Sequence, residues 1–347
     1  MLGFFVFGGK MEFFGFSFFG SLDDGAIMAI AACLFVVGLI FIIKGGDWFV
    51  DSASWFAEAT GIPKFVVGAT VVSFATTLPE LLVSVRAAMN NSAQLAIGNA
   101  IGSVTANTTL IMGVSLVAMA GVISRKEFSF KGILLLAAVA GLTVLSLSLS
   151  LPVWSVFILG AIFVTFMVSN LLEGKKSAGA DKPDTYDKNE IPKRILFFVI
   201  GTACIVFGAE FLVSSGKTIA RGLNISEAII GFTVIALGTS LPELVTTITA
   251  IRKKENSLSV GNIIGANIID TTLILPLCAA IGGEALPVER VNLVFDFPIC
   301  LTACAIAIVP TIIQGRFKKW QGYALLGVYA LYMAFLVLNE TGVIALG

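Results

Sequence analysis

The sequence predicts an all-α polytopic membrane protein: ten transmembrane helices arranged as two inverted five-helix repeats, with broken helices at the midplane. Three observations carry that reading. Of the 347 residues, 57% are hydrophobic and only 13% charged, and the mean hydropathy of +0.98 lies outside the range of soluble globular domains. Ten apolar runs are long enough to cross a ~30 Å hydrocarbon core, which takes about 20 helical residues. Finally, GATVVSFATTLPELLVS from Gly68 returns as GFTVIALGTSLPELVTT from Gly231, an offset of 163 residues (231 minus 68).

Residues 1–24 form an N-terminal segment rich in Phe and Gly, with one Lys and no small-residue cleavage motif. A secretory signal is weakly supported there, and a ragged start with Met11 as alternative initiator is the expectation. The first repeat, 25–172, holds apolar runs at roughly 25–56, 63–89, 94–122, 130–149 and 152–172. A hydrophilic linker, 173–193, reads as a solvated hinge too short to be a folded domain. The second repeat, 194–347, holds runs at roughly 194–221, 226–251, 257–282, 291–313 and 320–339.

The register between repeats holds without a gap: GGDWFV at Gly45 matches GAEFLV at Gly208, GNAIGS at Gly98 matches GNIIGA at Gly261, and TTLI recurs at Thr108 and Thr271. A unit with an odd number of spans enters the membrane from the opposite side when repeated. The basic residues agree. The loop NNSAQ after the first motif has no Lys or Arg, whereas its counterpart carries Arg252, Lys253 and Lys254; one loop later the bias reverses, with Arg125, Lys126 and Lys131 against Arg290 alone. Because short cytoplasmic loops are enriched in Lys and Arg, the linker and Arg316, Lys318 and Lys319 are expected inside and both termini outside.

Each copy sets one glutamate, Glu80 or Glu243, in an apolar stretch. An ionised side chain at mid-bilayer costs roughly 2.5–3.5 kcal/mol on insertion scales, so such carboxylates point to function. Thr76 and Thr77 stand beside Glu80, and Thr239 and Ser240 beside Glu243, at helical spacings that make each motif an oxygen-rich patch. Pro79 and Pro242 each remove an amide donor and clash one turn back, which should break the helix and free carbonyls around Ser73 to Ala75 and Ala236 to Gly238. The next segment adds Ser103 and Asn107 in the first repeat, Ala266 and Asp270 in the second. Carboxylates, hydroxyls, amide oxygens and carbonyls, with no nitrogen or thiolate, suit hard cations, Ca²⁺ or Na⁺, better than Mg²⁺, which gives up its waters reluctantly. Two carboxylates about 5 Å apart at an effective dielectric near 20 repel by roughly 3 kcal/mol. Only a neutralised site should therefore change sides, the behaviour of an antiporter.

TTLPE and GTSLPE, followed by GNAIGS and GNIIGA, resemble the two alpha repeats of the calcium/cation antiporter superfamily, in its sodium/calcium exchanger branch, over nearly the whole chain from about residue 25. The Leu-Pro-Glu form differs from the Gly-Asn-Ala-x-Glu form of proton/calcium exchangers, which favours Na⁺ as counter-ion. The resemblance implies that Glu80 and Glu243 are central Ca²⁺ ligands. Thr76, Thr77, Thr239, Ser240 and Ser103 would complete Ca²⁺ and Na⁺ sites together with the carbonyls of Ser73 and Ala236. Asn107 and Asp270 would occupy a middle position, where an acid also accompanies potassium dependence in some members, so K⁺ dependence stays open. Ala266 departs from the usual serine, which puts one Na⁺ site or the Na⁺ stoichiometry in question.

The glycines serve helix packing, Asn107 and Asp270 could be interhelical hydrogen-bond glue, and the hydroxyls could satisfy their own helices. Asp47 and Glu210 read as interfacial, Arg86 as snorkelling from a helix end, and all three are left out of the site. The absence of His excludes His-based relays, triads and metal sites, and Cys33, Cys204, Cys278, Cys300 and Cys304 lie in apolar runs without ligand spacing. The expectation is a transporter and no enzyme, without a cofactor, monomeric, embedded in a lipid bilayer and with no nucleic-acid partner. Its transported ions are Ca²⁺ and Na⁺, with K⁺ or H⁺ participation open, and compact prokaryotic-type loops imply the cell membrane. Proton/calcium exchange is the nearest alternative; an intramembrane protease and a passive cation channel are distant ones.

Overall fold

The computed structural model describes residues 11–13, 16–18, 24–90, 92–119, 125–180, 189–223, 238–282 and 285–340. The helices are α1 (Asp24–Thr60), α2 (Lys64–Thr76), α3 (Leu78–Met89), α4 (Ala93–Met119), α5 (Arg125–Leu145), α6 (Ser155–Ala180), α7 (Glu190–Gly222), α8 (Leu241–Arg252), α9 (Asn256–Gly282), α10 (Asn292–Gln314) and α11 (Lys319–Glu340). Among the described residues, eight helices are long and apolar enough to span a bilayer, or nine spans if the bent pair α2–α3 counts as one. Of the run expected at roughly 226–251, only the second half, α8, lies within them. Two antiparallel ribbons interrupt the all-α expectation: β1 (Met11–Phe13) pairs with β2 (Phe16–Phe18), and β3 (Ser150–Leu151) with β4 (Leu286–Pro287). β1 and β2 fall in the Phe-rich stretch, and aromatic residues favour strands. The expected hinge is shorter than its composition suggests, because α6 runs on through Ala180, across the helix formers Glu173, Lys175 and Lys176.

Glycines record the inverted relationship. A Cβ on Gly38 would come 2.9 Å from Gly208 O, and one on Gly201 would come 2.9 Å from Gly45 O. One contact is displaced seven residues along α1 (45 minus 38) as the other is displaced seven back along α7 (208 minus 201), so these helices run antiparallel. Gly38 and Gly201, like Gly45 and Gly208, are also 163 apart, so the crossing repeats itself about a pseudo-two-fold axis. At 37 and 33 residues, α1 and α7 reach about 55 and 50 Å and must tilt or project past a ~30 Å core.

The remaining helices interlock across the repeats. In α4 and α9 the apolar window is 78% and 83% buried, against 22% in α1, α6, α7 and α11, so α4 and α9 form the centre. Helices of one repeat pack against those of the other, α4 on α11 and α9 on α6, while α5 packs on α10. The ribbon β3–β4 ties the end of α5 to the end of α9. Ion pairs gather at the opposite ends: Lys64 with Glu255 at 2.8 Å, Lys253 with Asp51 at 2.8 Å and Lys131 with Glu173 at 2.6 Å.

Backbone irregularity concentrates in the middle helices. The second span bends by 47° between α2 and α3, pivoting on Thr77 at φ −83°, ψ 1°; Ser240, before α8, matches it at φ −85°, ψ 6°. Pro79 and Pro242 are each the second residue of the following helix, where a missing N–H costs nothing. Stretches with π-helical bonding, not anticipated from the sequence, begin at Gly68 in α2, at Asn107 in α4, at Asp270 in α9 and at Asn292 in α10.

α2 and α9 approach closely: a Cβ on Gly261 would overlap Phe65 O, and one on Gly68 would overlap Leu258 O. Gly261→Ala should therefore force the helices apart, costing about 1–3 kcal/mol. Gly141→Ala, whose added methyl meets only Leu159 at 3.8 Å, should be neutral or slightly stabilising. Thermal unfolding in detergent, compared with wild type, checks both.

Candidate functional site

The repeated motifs place their acids at helix beginnings. Glu80 is the third residue of α3 and Glu243 the third of α8, where unsatisfied amide groups and the helix dipole favour a carboxylate. Both are essentially fully buried, as are Thr76, Thr77, Ser240, Ser73, Ser103, Asn107 and Asp270. Thr239 is partly buried. Glu80 lies within electrostatic reach of Glu243 and Asp270, so three acids from both repeats share one buried region.

Hydroxyls cross from one repeat to the acid of the other. Thr77 Oγ1 donates to Glu243 Oε1 at 3.3 Å. Thr76 lies within hydrogen-bonding reach of Glu243 and Thr239 of Glu80, and each hydroxyl also reaches an asparagine oxygen: Thr76 that of Asn262 and Thr239 that of Asn99, both at 3.2 Å. Ser103 Oγ stands 3.5 Å from Thr239 Oγ1. Ala266, fully buried at the equivalent place, brings no oxygen.

What remains is a set of buried acceptors without donors. Both carboxylate oxygens of Glu80, both of Asp270, Oε2 of Glu243, Oδ1 of Asn107 and the Ser240 hydroxyl have no hydrogen-bond partner. Leaving such groups unpaired costs roughly 1–3 kcal/mol each, more for ions. A cation contributed from outside the chain resolves the deficit. Among the described residues no three of His, Cys, Asp and Glu converge into a metal cage, so an ion here would draw on two acids at most, helped by hydroxyl, amide and backbone oxygens.

Two expected ligands stand differently. Ser73 O is not freed by the break: it accepts the Thr77 N–H at 2.9 Å and lies 3.3 Å from Thr76 Oγ1, because the proline removes the donor to Ala75 instead. Ala236 falls outside the described residues. Asn99 and Asn262 were missed, although the doubled Gly-Asn-x-x-Gly run names both. Asp47, excluded from the site, does lie apart from it, 3.7 Å from Lys253 and 4.0 Å from Arg252.

Comparison with known proteins agrees with this geometry. The sequence profile of the family described as sodium/calcium exchanger protein matches residues 30–172 and 193–338. The chain belongs to the sodium/calcium exchanger family. It is 30% identical to the sodium/calcium exchanger MaX1 of Methanosarcina acetivorans, over 88% of this chain and 97% of that one. It is 35% identical to the inner membrane protein YrbG of Escherichia coli, over 73% and 81%. A solved structure of the sodium-calcium exchanger NCX_Mj superposes with a TM-score of 0.78 at 28% identity, covering 88% of this chain and 98% of that one. As a member of this exchanger family the chain is a secondary transporter.

Cation binding to the donor-free cluster should stabilise the fold by mass action, about 2.7 kcal/mol at a hundredfold excess over Kd. The thermal midpoint of purified protein should rise with CaCl₂ and fall back on chelation. Glu80→Gln and Glu243→Gln should each abolish the response while unfolding no earlier than ion-free wild type.

Proposed function

We propose that this chain exchanges Na⁺ for Ca²⁺ across the cell membrane, by alternating access at one site between its two repeats. The observation that carries the reading is the buried, donor-free set of acceptors on Glu80, Glu243, Asp270 and Asn107, contributed by both halves of an inverted pair. Glu80 and Glu243 act as the shared ligands of Ca²⁺. Thr76, Thr77, Thr239, Ser240 and Ser103 complete Ca²⁺ and Na⁺ positions with the carbonyls of Ser73, through its remaining lone pair, and Ala236. Asn107 and Asp270 line the middle position, where Asp270 holds a proton, a water or a further cation.

The empty site carries two or three carboxylates in a medium of low dielectric, where mutual repulsion of roughly 3 kcal/mol per close pair opposes closure away from water. Loading with Ca²⁺, or with several Na⁺, removes that penalty, so only loaded forms re-orient. Exchange without leakage follows. In the full arrangement ten spans form two repeats, 25–172 and 194–347, with residues 1–24 preceding them, the 173–193 linker cytoplasmic and both termini outside. Lys253, Lys64 and Lys131, which share one end of the bundle, favour that orientation.

Vesicles loaded with Na⁺ and diluted into Na⁺-free ⁴⁵Ca²⁺ should accumulate the isotope, and Glu80→Gln or Glu243→Gln should reduce uptake to background. Uptake driven equally by a pH gradient and indifferent to Na⁺ would assign proton/calcium exchange instead, and dependence on added K⁺ would assign a K⁺-coupled form. Ala266→Ser restores a hydroxyl opposite Ser103, and should lower the half-saturating Na⁺ concentration by about two- to fivefold, read from the Na⁺ dependence of Ca²⁺ efflux.

A further inference from the structure

A threonine hydroxyl has one hydrogen and two lone pairs, and it can ligate a cation only through a lone pair. Beside a carboxylate its hydrogen would turn to the strongest acceptor at hand, occupying the carboxylate and pointing the wrong end of the dipole at the ion. Thr76 and Thr239 sit in that predicament, next to Glu243 and Glu80. In both, an asparagine oxygen on a helix of the other repeat stands 3.2 Å away as a competing acceptor for that hydrogen. The pairs Thr76–Asn262 and Thr239–Asn99 are related by the same offset of 163 (239 minus 76; 262 minus 99), so the arrangement occurs twice.

We infer that Asn262 and Asn99 are positioning residues that hold the Thr76 and Thr239 hydroxyls with their lone pairs toward the transported ion. This rests on the assignment of both threonines as ligands. Asn99 is itself oriented, since its Nδ2 donates to Glu80 O at 3.2 Å and to Ser84 Oγ at 2.9 Å, which turns Oδ1 to Thr239. Asn262 is fully buried, and its Nδ2 has no partner. Its grip on Thr76 depends on the close approach of α9 to α2 that Gly261 permits. Without Asn262, the Thr76 hydrogen turns to the Glu243 carboxylate beside it or to Ser73 O at 3.3 Å. Either diverts it onto an oxygen wanted for the ion, so one substitution weakens two ligands.

Double-mutant cycles test the inference in the full-length, reconstituted protein, using Na⁺-driven ⁴⁵Ca²⁺ uptake. Asn262→Ala and Asn99→Ala should each raise the KM for Ca²⁺ by about fivefold, with a smaller change in maximal rate. Thr76→Val with Asn262→Ala should have the KM of Thr76→Val alone, and Thr239→Val with Asn99→Ala that of Thr239→Val alone. In the crossed pairs, Thr76→Val with Asn99→Ala and Thr239→Val with Asn262→Ala, the effects should multiply. An unchanged KM in Asn262→Ala, or bonded pairs that multiply like the crossed ones, overturns the inference. An unchanged KM in Thr76→Val and Thr239→Val overturns the ligand assignment beneath it. Should Asn262→Ala fold poorly, Asn262→Ser is assayed with thermal midpoints in both backgrounds. A structural role lowers the midpoint whether residue 76 is Thr or Val, whereas positioning raises the KM only with Thr.

Discussion

Oxygen atoms without hydrogens, sealed in the centre of the bundle, are the constraint on which the rest of the structure depends. Lys131 shows how this chain treats a buried charge it means to neutralise: fully buried, it reaches Glu173 at 2.6 Å and lies 4.6 Å from the centre of the Phe65 ring. Among the described residues no Lys or Arg forms an ion pair with Glu80 or Asp270, whose carboxylate oxygens have no hydrogen-bond partner there. Glu243 receives one hydroxyl from Thr77. Ionised groups in that state are tolerable only with a counter-charge or a proton, and the helix N-termini at Leu78 and Leu241 supply only part of one. Those oxygens are thus left for a partner from outside the chain, as the proposed ion site requires.

That constraint dictates the geometry around it. Both glutamates must reach one region from separate repeats, so the central helices must approach until backbone meets backbone. Gly68 against Leu258 and Gly261 against Phe65 permit this, and the break at Thr77 turns a helix start inward. Peripheral helices tolerate more. α1 and α7 meet through Gly38, Gly45, Gly201 and Gly208 on a seam of small residues, the kind of surface along which two long helices pack closely without interlocking side chains.

Much of this is legible in the sequence, because lipid enforces long apolar runs and the internal repeat doubles every signal. The helix starts at Leu78 and Leu241 fall where the prolines predict them. The π-helical stretches at Asn107 and Asp270 were not legible, since a single extra residue per turn leaves no composition mark. Nor was the fate of Ser73 O: the proline rule identifies the carbonyl that loses its donor, and that is Ala75. Asn99 and Asn262 were overlooked because their partners lie on the other repeat, at separations of 140 and 186 residues, beyond any helical spacing.

Departures from perfect repetition then acquire physical meaning. In an inverted pair with identical halves, the two orientations of the site would be equivalent by the two-fold rotation and of equal free energy. Here Asp270 stands opposite Asn107 and Ala266 opposite Ser103, so one half carries an additional acid and lacks one hydroxyl. One end of the bundle carries Asp47, Asp51, Arg252, Lys253 and Glu255 in ion pairs, while Met89, Asn90 and Ser92 occupy the places related to Arg252, Lys253 and Glu255 by the offset. An ion facing one side therefore meets different ligand dipoles, and a different closure to break, from an ion facing the other. Two sides with unequal energies are what a carrier needs if it is to work between compartments of unequal ion content, and the sequence differences between the repeats are where that inequality is written.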